Sequence, residues 1–127
     1  MKKDIICTDK APAPIGPYSQ AVEANETLYC SGQIPVDPAT GEIPETIEAQ
    51  AHLVLSNLRA VIEEAGAELE NVVKTTLFLT DLNTFATVNA IYGEYFDEEN
   101  APARSTVQVA ALPKGVFIEI DAIARLN

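Results

Sequence analysis

The stretch Thr46–Ala65 constrains everything around it. Its apolar residues fall at Ile47, Ala51, Val54, Leu55, Leu58, Val61, Ile62 and Ala65, the spacing of one helical face, and Gly66 follows as a stop signal. A helix with a single apolar stripe must bury it against another layer. The flanking segments supply that layer as strands. Short strands are predicted near Asp4–Thr8, at Tyr18–Glu23 and at Thr27–Ser31, the last two joined by a hairpin turn at Ala24-Asn25-Glu26. Val72–Thr80, Ala103–Ala110 and Val116–Ala124 complete the strand set, with a turn around Pro113-Lys114-Gly115 between the last two. A second helix, capped by Asp81 or Asn83, is predicted to run to about Phe96, with Phe85, Val88, Tyr92 and Tyr95 or Phe96 on its apolar face. The proline-containing segments 12–17 and 35–44 and the acidic run Asp97-Glu98-Glu99-Asn100 read as loops.

These 127 residues suffice for a single domain, 1–127, with one core. The order of elements is that of an α+β, two-layer domain: a mixed β-sheet with two helices packed on one face. Two helices cannot cover both faces of five or six strands, so the second face meets solvent or another subunit. Alternation in Val116–Ala124 puts Val116, Ile118, Ile120 and Ala122 on the helix side and Phe117, Glu119, Asp121 and Ile123 on the other. In Ala103–Ala110, Val107 and Val109 are expected under the helices, with Arg104, Thr106 and Gln108 on the open face. An open face mixing charge with Phe117 and Ile123 suits an oligomer interface.

Acidic residues number 19 against 8 basic, a net charge of -11. Such a chain lacks the clustered Lys and Arg that neutralise phosphates or hold an anionic membrane, so nucleic acid is not expected as a partner. Asp4 and Asp9 interrupt any apolar run before Pro12, so neither a secretory leader nor a membrane span is expected. Two cysteines, Cys7 and Cys30, fit free thiols in a reducing cytoplasm, with Cys30 a small buried hydrophobe. One histidine, His52, and two cysteines at unrelated spacing make no metal site, and no phosphate loop or nucleophile elbow is present.

The chemistry-bearing candidates are few. Arg104 carries a planar fork that matches a carboxylate in two parallel hydrogen bonds. Spacing alone favours a plainer role, a structural ion pair with Glu119 or Asp121 on a neighbouring strand. Glu119, inside an apolar run, is suited to proton transfer if desolvation raises its pKa; Asp121 competes for that role. Tyr18 follows the Gly16-Pro17 turn and offers a ring and a hydroxyl. Gly32 permits close backbone approach. Asn89 reads as a helix-surface residue.

The segments Ala13-Pro14-Ile15-Gly16-Pro17-Tyr18-Ser19-Gln20-Ala21, Ser31-Gly32-Gln33-Ile34-Pro35 and Pro102-Ala103-Arg104-Ser105-Thr106-Val107 resemble the RidA/YjgF family of reactive-intermediate deaminases. So do Val73-Lys74-Thr75-Thr76, the run from Asp81 to Asn89 and the run from Ile118 to Ala124, so that the resemblance spans nearly the whole chain. It implies a chorismate-mutase-like fold and a homotrimer with clefts between subunits. It also implies hydrolysis of 2-imino acids, formed from the enamines that pyridoxal-phosphate-dependent dehydratases release, to 2-oxo acids and ammonia, without metal or cofactor. It makes Arg104 the carboxylate ligand and Glu119 the residue that positions or activates water, with Tyr18, Gly32 and Asn89 near the ligand. Thr106 stands where some members have cysteine, which removes a reactive thiol. Two other readings stay open: a non-catalytic module that binds a small carboxylate, and an endoribonuclease or translation inhibitor, a role also reported within the family.

Overall fold

The computed structural model describes residues 2–126. Six strands and two helices appear in the order β1 (Asp4–Ile6), β2 (Ala21–Ala24), β3 (Thr27–Gln33), α1 (Ile47–Glu64), β4 (Val72–Leu79), α2 (Phe85–Tyr92), β5 (Ala103–Gln108) and β6 (Ile118–Arg125). The strands form one sheet in the order β1-β2-β3-β6-β4-β5. All neighbours are antiparallel except β4 and β5, which run parallel. A parallel pair needs a long crossover, and α2 lies in the connection that makes it. Both helices lie on one face, giving the two-layer α+β architecture.

Local chemistry explains the boundaries. The Thr46 hydroxyl accepts from the Ala49 N–H at 3.2 Å and caps the start of α1. Its end is closed by Gly66 at φ +85°, with the Gly66 N–H bonded to the Glu63 carbonyl and the Ala67 N–H to that of Ile62. Asn25 and Glu26 take φ of 51° and 59°, the left-handed pair that matches the twist of the β2–β3 hairpin. Leu55, Leu58 and Ile62 of α1 are wholly buried with Leu28, Leu77, Leu79, Ile118 and Ile120 of the sheet.

Three buried amides fasten loops to this core. Gln50 donates to the Pro44 carbonyl and accepts from the Phe117 N–H, and Asn57 donates to the carbonyls of Ile34 and Val36. Gln20 accepts from the Thr8 N–H at 2.7 Å and donates to the carbonyls of Thr8 and Pro12. Among the described residues no buried side-chain nitrogen or oxygen lacks a hydrogen-bond partner.

Several expectations are corrected. The first strand stops at Ile6. The second begins at Ala21, because Tyr18 is held in a turn by its N–H bond to the Gly16 carbonyl. Helix α2 ends at Tyr92: Gly93 caps it, and residues 94–96 continue as turns that still bury Phe96. The last strand starts two residues later and runs to Arg125.

The largest correction concerns the faces of β5. Arg104 pairs in register with Thr75, and Thr106 with Leu77; both β4 residues are buried beneath the helices. Arg104 and Thr106 therefore lie on the helix side, while Val107, 41% exposed, lies on the open face. Hydrophobicity misassigned this strand because it is the sheet edge, where helix cover is thin. On β6 the expected faces hold: Ile118, Ile120, Ala122 and Ala124 are buried, and Phe117, Glu119, Asp121 and Ile123 look outward. Among the described residues no helix is long and apolar enough to cross a membrane.

Candidate functional site

The candidate residues fall into two groups on opposite faces of the sheet. The first is built on β5 and α2. Phe85, Asn89 and Tyr92 stand at positions i, i+4 and i+7 of the helix, one stripe that faces the sheet edge. The Arg104 guanidinium lies over the Tyr92 ring, 4.8 Å from its centroid, and 5.3 Å from that of Phe85. Its Nη1 donates to Asn89 Oδ1 at 2.8 Å. Asn89 is thus no idle surface residue; it fixes one end of the guanidinium. Thr106, half-buried, follows two residues on along the same strand face. In front of Arg104 a depression of about 680 Å³ is bordered by Asn89, Gly93, Phe96 and Pro102.

The structural ion pair expected from spacing does not exist. Strand β4 lies between β5 and β6, and Glu119 and Asp121 look out from the other face. Among the described residues no carboxylate is paired with Arg104.

The second group is built on β3 and β6. Their pairing carries a register shift between Cys30 and Gln33, and Gly32 within it lies against Glu119. A Cβ at Gly32 would overlap the Glu119 carboxylate, so a side chain there would displace that carboxylate from its present position. Glu119 is half-buried, and its pKa is raised, first by desolvation and then by the charge of Asp121. Tyr18 is exposed, its hydroxyl accepting from the Ile15 N–H at 3.4 Å. With Gly32, Gln33, Ile34 and Lys114 it borders a smaller hollow of about 220 Å³. The Tyr18 loop is tied to β3 by the Ser31 hydroxyl, which donates to the Ser19 carbonyl at 2.6 Å.

His52 stays outside both groups, its Nδ1 3.1 Å from the Tyr95 hydroxyl on the outer surface of α1. Among the described residues no three His, Cys, Asp or Glu side chains converge to hold a metal. Burial, helped by Asp121, pushes the Cys30 thiol up to about 12, whereas Cys7 is exposed. A thiol reagent is expected to modify only Cys7 in the native chain and both cysteines after denaturation. Two rapidly reacting thiols in the native protein would contradict the burial of Cys30.

Sequence reasoning missed the aromatic seat under Arg104. Phe85 and Tyr92 were legible as an apolar helix face; their spacing with Asn89 was the signal that a polar group shares that stripe.

The model of the family described as Endoribonuclease L-PSP matches residues 8–126, nearly the whole chain. The chain belongs to this family. It is the RidA/YjgF family of the sequence resemblance. Within this L-PSP family, a RutC family protein, slr0709 of Synechocystis, is 59% identical over 128 residues, covering 99% of this chain and 98% of its own. The 2-iminobutanoate/2-iminopropanoate deaminase of Escherichia coli K12 is 55% identical over 121 residues, 94% of each chain. The crystal structure of E. coli TdcF with bound serine superposes with a TM-score of 0.91 at 51% identity, covering 96% of this chain and 98% of that one. The L-PSP family therefore accounts for the mixed sheet and both helices, and includes members named as imine deaminases.

Proposed function

We propose that the protein is a 2-iminobutanoate/2-iminopropanoate deaminase of the cytoplasm, acting as a homotrimer without metal or cofactor. The observation that carries the reading is the seating of Arg104. A guanidinium has five N–H donors, and Asn89 takes one. With no carboxylate of the described residues against it, its remaining edge is open for the carboxylate of a 2-imino acid, bound by two parallel hydrogen bonds. The 55% identity to a deaminase and the serine held by TdcF, itself an α-carboxylate, support this assignment.

One chain holds Arg104 and Glu119 on opposite faces, so both reach one substrate only if a second copy supplies half of the site. A closed three-membered ring repeats such a contact without leaving an unused face, and the open sheet face with Tyr29, Val107 and Phe117 exposed provides the surface. In that arrangement Arg104 clamps the carboxylate, and Asn89 and Thr106 border the same half. Tyr18, Gly32 and Glu119 of the partner subunit close over the imine carbon.

The reaction then needs little beyond orientation and a proton relay. Water adds to the carbon of the C=N bond, and Glu119 of the partner subunit takes a proton from it and passes it to nitrogen. The carbinolamine collapses: the C=O bond forms, the C–N bond breaks, and the hydroxyl proton leaves with nitrogen as ammonia. A carboxyl whose pKa is raised suits both steps.

The shared site is tested by mixing. Arg104→Ala and Glu119→Gln proteins, each inactive alone, are unfolded together and refolded at equal amounts. A ring of three drawn at random from the two restores about a quarter of the sites, because each mixed ring joins one intact Arg104 to one intact Glu119. Mixtures no more active than their components would place both residues' roles within one chain or remove one of them. RNA cleavage that survives Arg104→Ala would favour the endoribonuclease reading, which a net charge of -11 opposes.

A further inference from the structure

We infer that Tyr92 is a positioning residue for the Arg104 clamp, its ring face fixing the plane in which the guanidinium meets a substrate carboxylate. This rests on the clamp reading of Arg104 above.

Arg104 stands on an edge strand and is exposed, a setting in which an arginine ordinarily samples many rotamers. Here three contacts restrain it. Asn89 holds one nitrogen at 2.8 Å; the rings of Phe85 and Tyr92 lie 5.3 and 4.8 Å from the guanidinium carbon. Tyr92 is the firmer of the two rings. It is 5% exposed, it packs on Phe96 with centroids 4.6 Å apart, and its hydroxyl lies 2.8 Å from Thr75 Oγ1. Thr75 is the residue directly beside Arg104 in the parallel β4–β5 register. Packing on Phe96 and burial hold the ring that the arginine rests on, the bond to its strand neighbour adds stability, and α2 closes the circuit through Asn89.

The chemistry of a clamp explains why such a seat matters. Two parallel hydrogen bonds form only when the guanidinium and carboxylate planes coincide, so an arginine already held flat loses less freedom on binding than a mobile one. A ring supplies a plane and an attraction without competing for the N–H donors. Burial raises the Tyr92 phenol's pKa, against the opposing pull of Thr75 and Arg104, so the ring remains neutral and available to the Thr75 hydroxyl.

The test compares Tyr92→Phe, Tyr92→Leu, Phe85→Leu and Arg104→Ala. Affinity for 2-oxobutanoate is measured by calorimetry, kcat and KM on freshly generated 2-iminobutanoate, and thermal unfolding alongside. Tyr92→Leu is expected to weaken 2-oxobutanoate and raise KM by roughly fivefold, the scale of a lost cation–π contact, with a smaller change in kcat. Tyr92→Phe keeps the ring, so its affinity should stay within about twofold of the parent even though the Thr75 bond is gone and stability falls. If Tyr92→Leu does not fold, Phe85→Leu carries the same expectation at smaller size. Affinity unchanged in the folded leucine variants, or lost equally in Tyr92→Phe and Tyr92→Leu, overturns the inference. Should Arg104→Ala bind 2-oxobutanoate normally, the clamp reading itself fails; should Arg104→Ala lose binding while the leucine variants keep it, only the role of Tyr92 fails.

Discussion

Arg104→Ala is expected to lower imine turnover by at least about a hundredfold while leaving the fold and its thermal stability nearly unchanged. The first half follows from removing both hydrogen bonds to a substrate carboxylate, each of the stronger, charge-assisted kind. The second follows from what Arg104 touches. Its hydrogen-bond partner Asn89 is exposed and can turn to water, and among the described residues no carboxylate is left unpaired by the change. Arg104→Lys should restore little, because an ammonium presents no flat fork. Steady-state kinetics and circular dichroism melting on the same preparations check both halves. Near-normal turnover would end the clamp assignment, and a collapsed melting transition would show a structural role that the contacts do not reveal.

Glu119→Gln is expected to cut kcat by roughly a hundredfold or more while changing 2-oxobutanoate affinity little, since glutamine keeps the shape and cannot accept the proton. Asp121→Asn, on the same face two residues on, is the control and should retain most activity. The raised pKa of Glu119 sets the pH behaviour. Turnover that needs the ionised carboxyl should fall on acidification at a pH above the ordinary glutamate range. Stability runs the other way. Because the folded state favours the protonated form, the strain of ionising Glu119 is absent below the ordinary glutamate pKa and appears as pH rises through the raised one. Glu119→Gln should therefore melt higher than the parent near neutral pH and lose that advantage in acid. A larger loss of turnover in Asp121→Asn, or equal melting of Glu119→Gln and parent at every pH, would move the proton relay elsewhere.

How legible this was depended on the element. Helix α1 announced itself because its stripe is long and fully used, and β6 because each alternate residue is either buried or outward. Strand β5 misled: at a sheet edge, Val107 is exposed and Arg104 faces the helices, so side-chain polarity no longer reports the face. That error also produced the expected Arg104–Glu119 ion pair, which the strand order β6-β4-β5 forbids. Pairing order is a long-range property that no local pattern encodes. Gly32 was legible as a place of close approach, but only the register shift in β3 shows that what approaches is the Glu119 carboxylate. The roles of Tyr18, Gly32, Asn89 and Thr106 rest on the family resemblance and on where the fold puts them.

The Gln20 side chain reaches in two directions at once. Its oxygen meets a backbone donor and its nitrogen meets backbone acceptors, so the position demands a group that is half donor and half acceptor at that length. Glutamate would set lone pair against lone pair, and methionine would leave peptide groups dry. Of the twenty side chains only glutamine satisfies both ends. Substitution at this point leaves buried peptide groups unpaired, two residues from Tyr18. The loop can thus explore new residues at the exposed Ile15, while Gly16, at φ +106°, and the Gln20 anchorage are held constant.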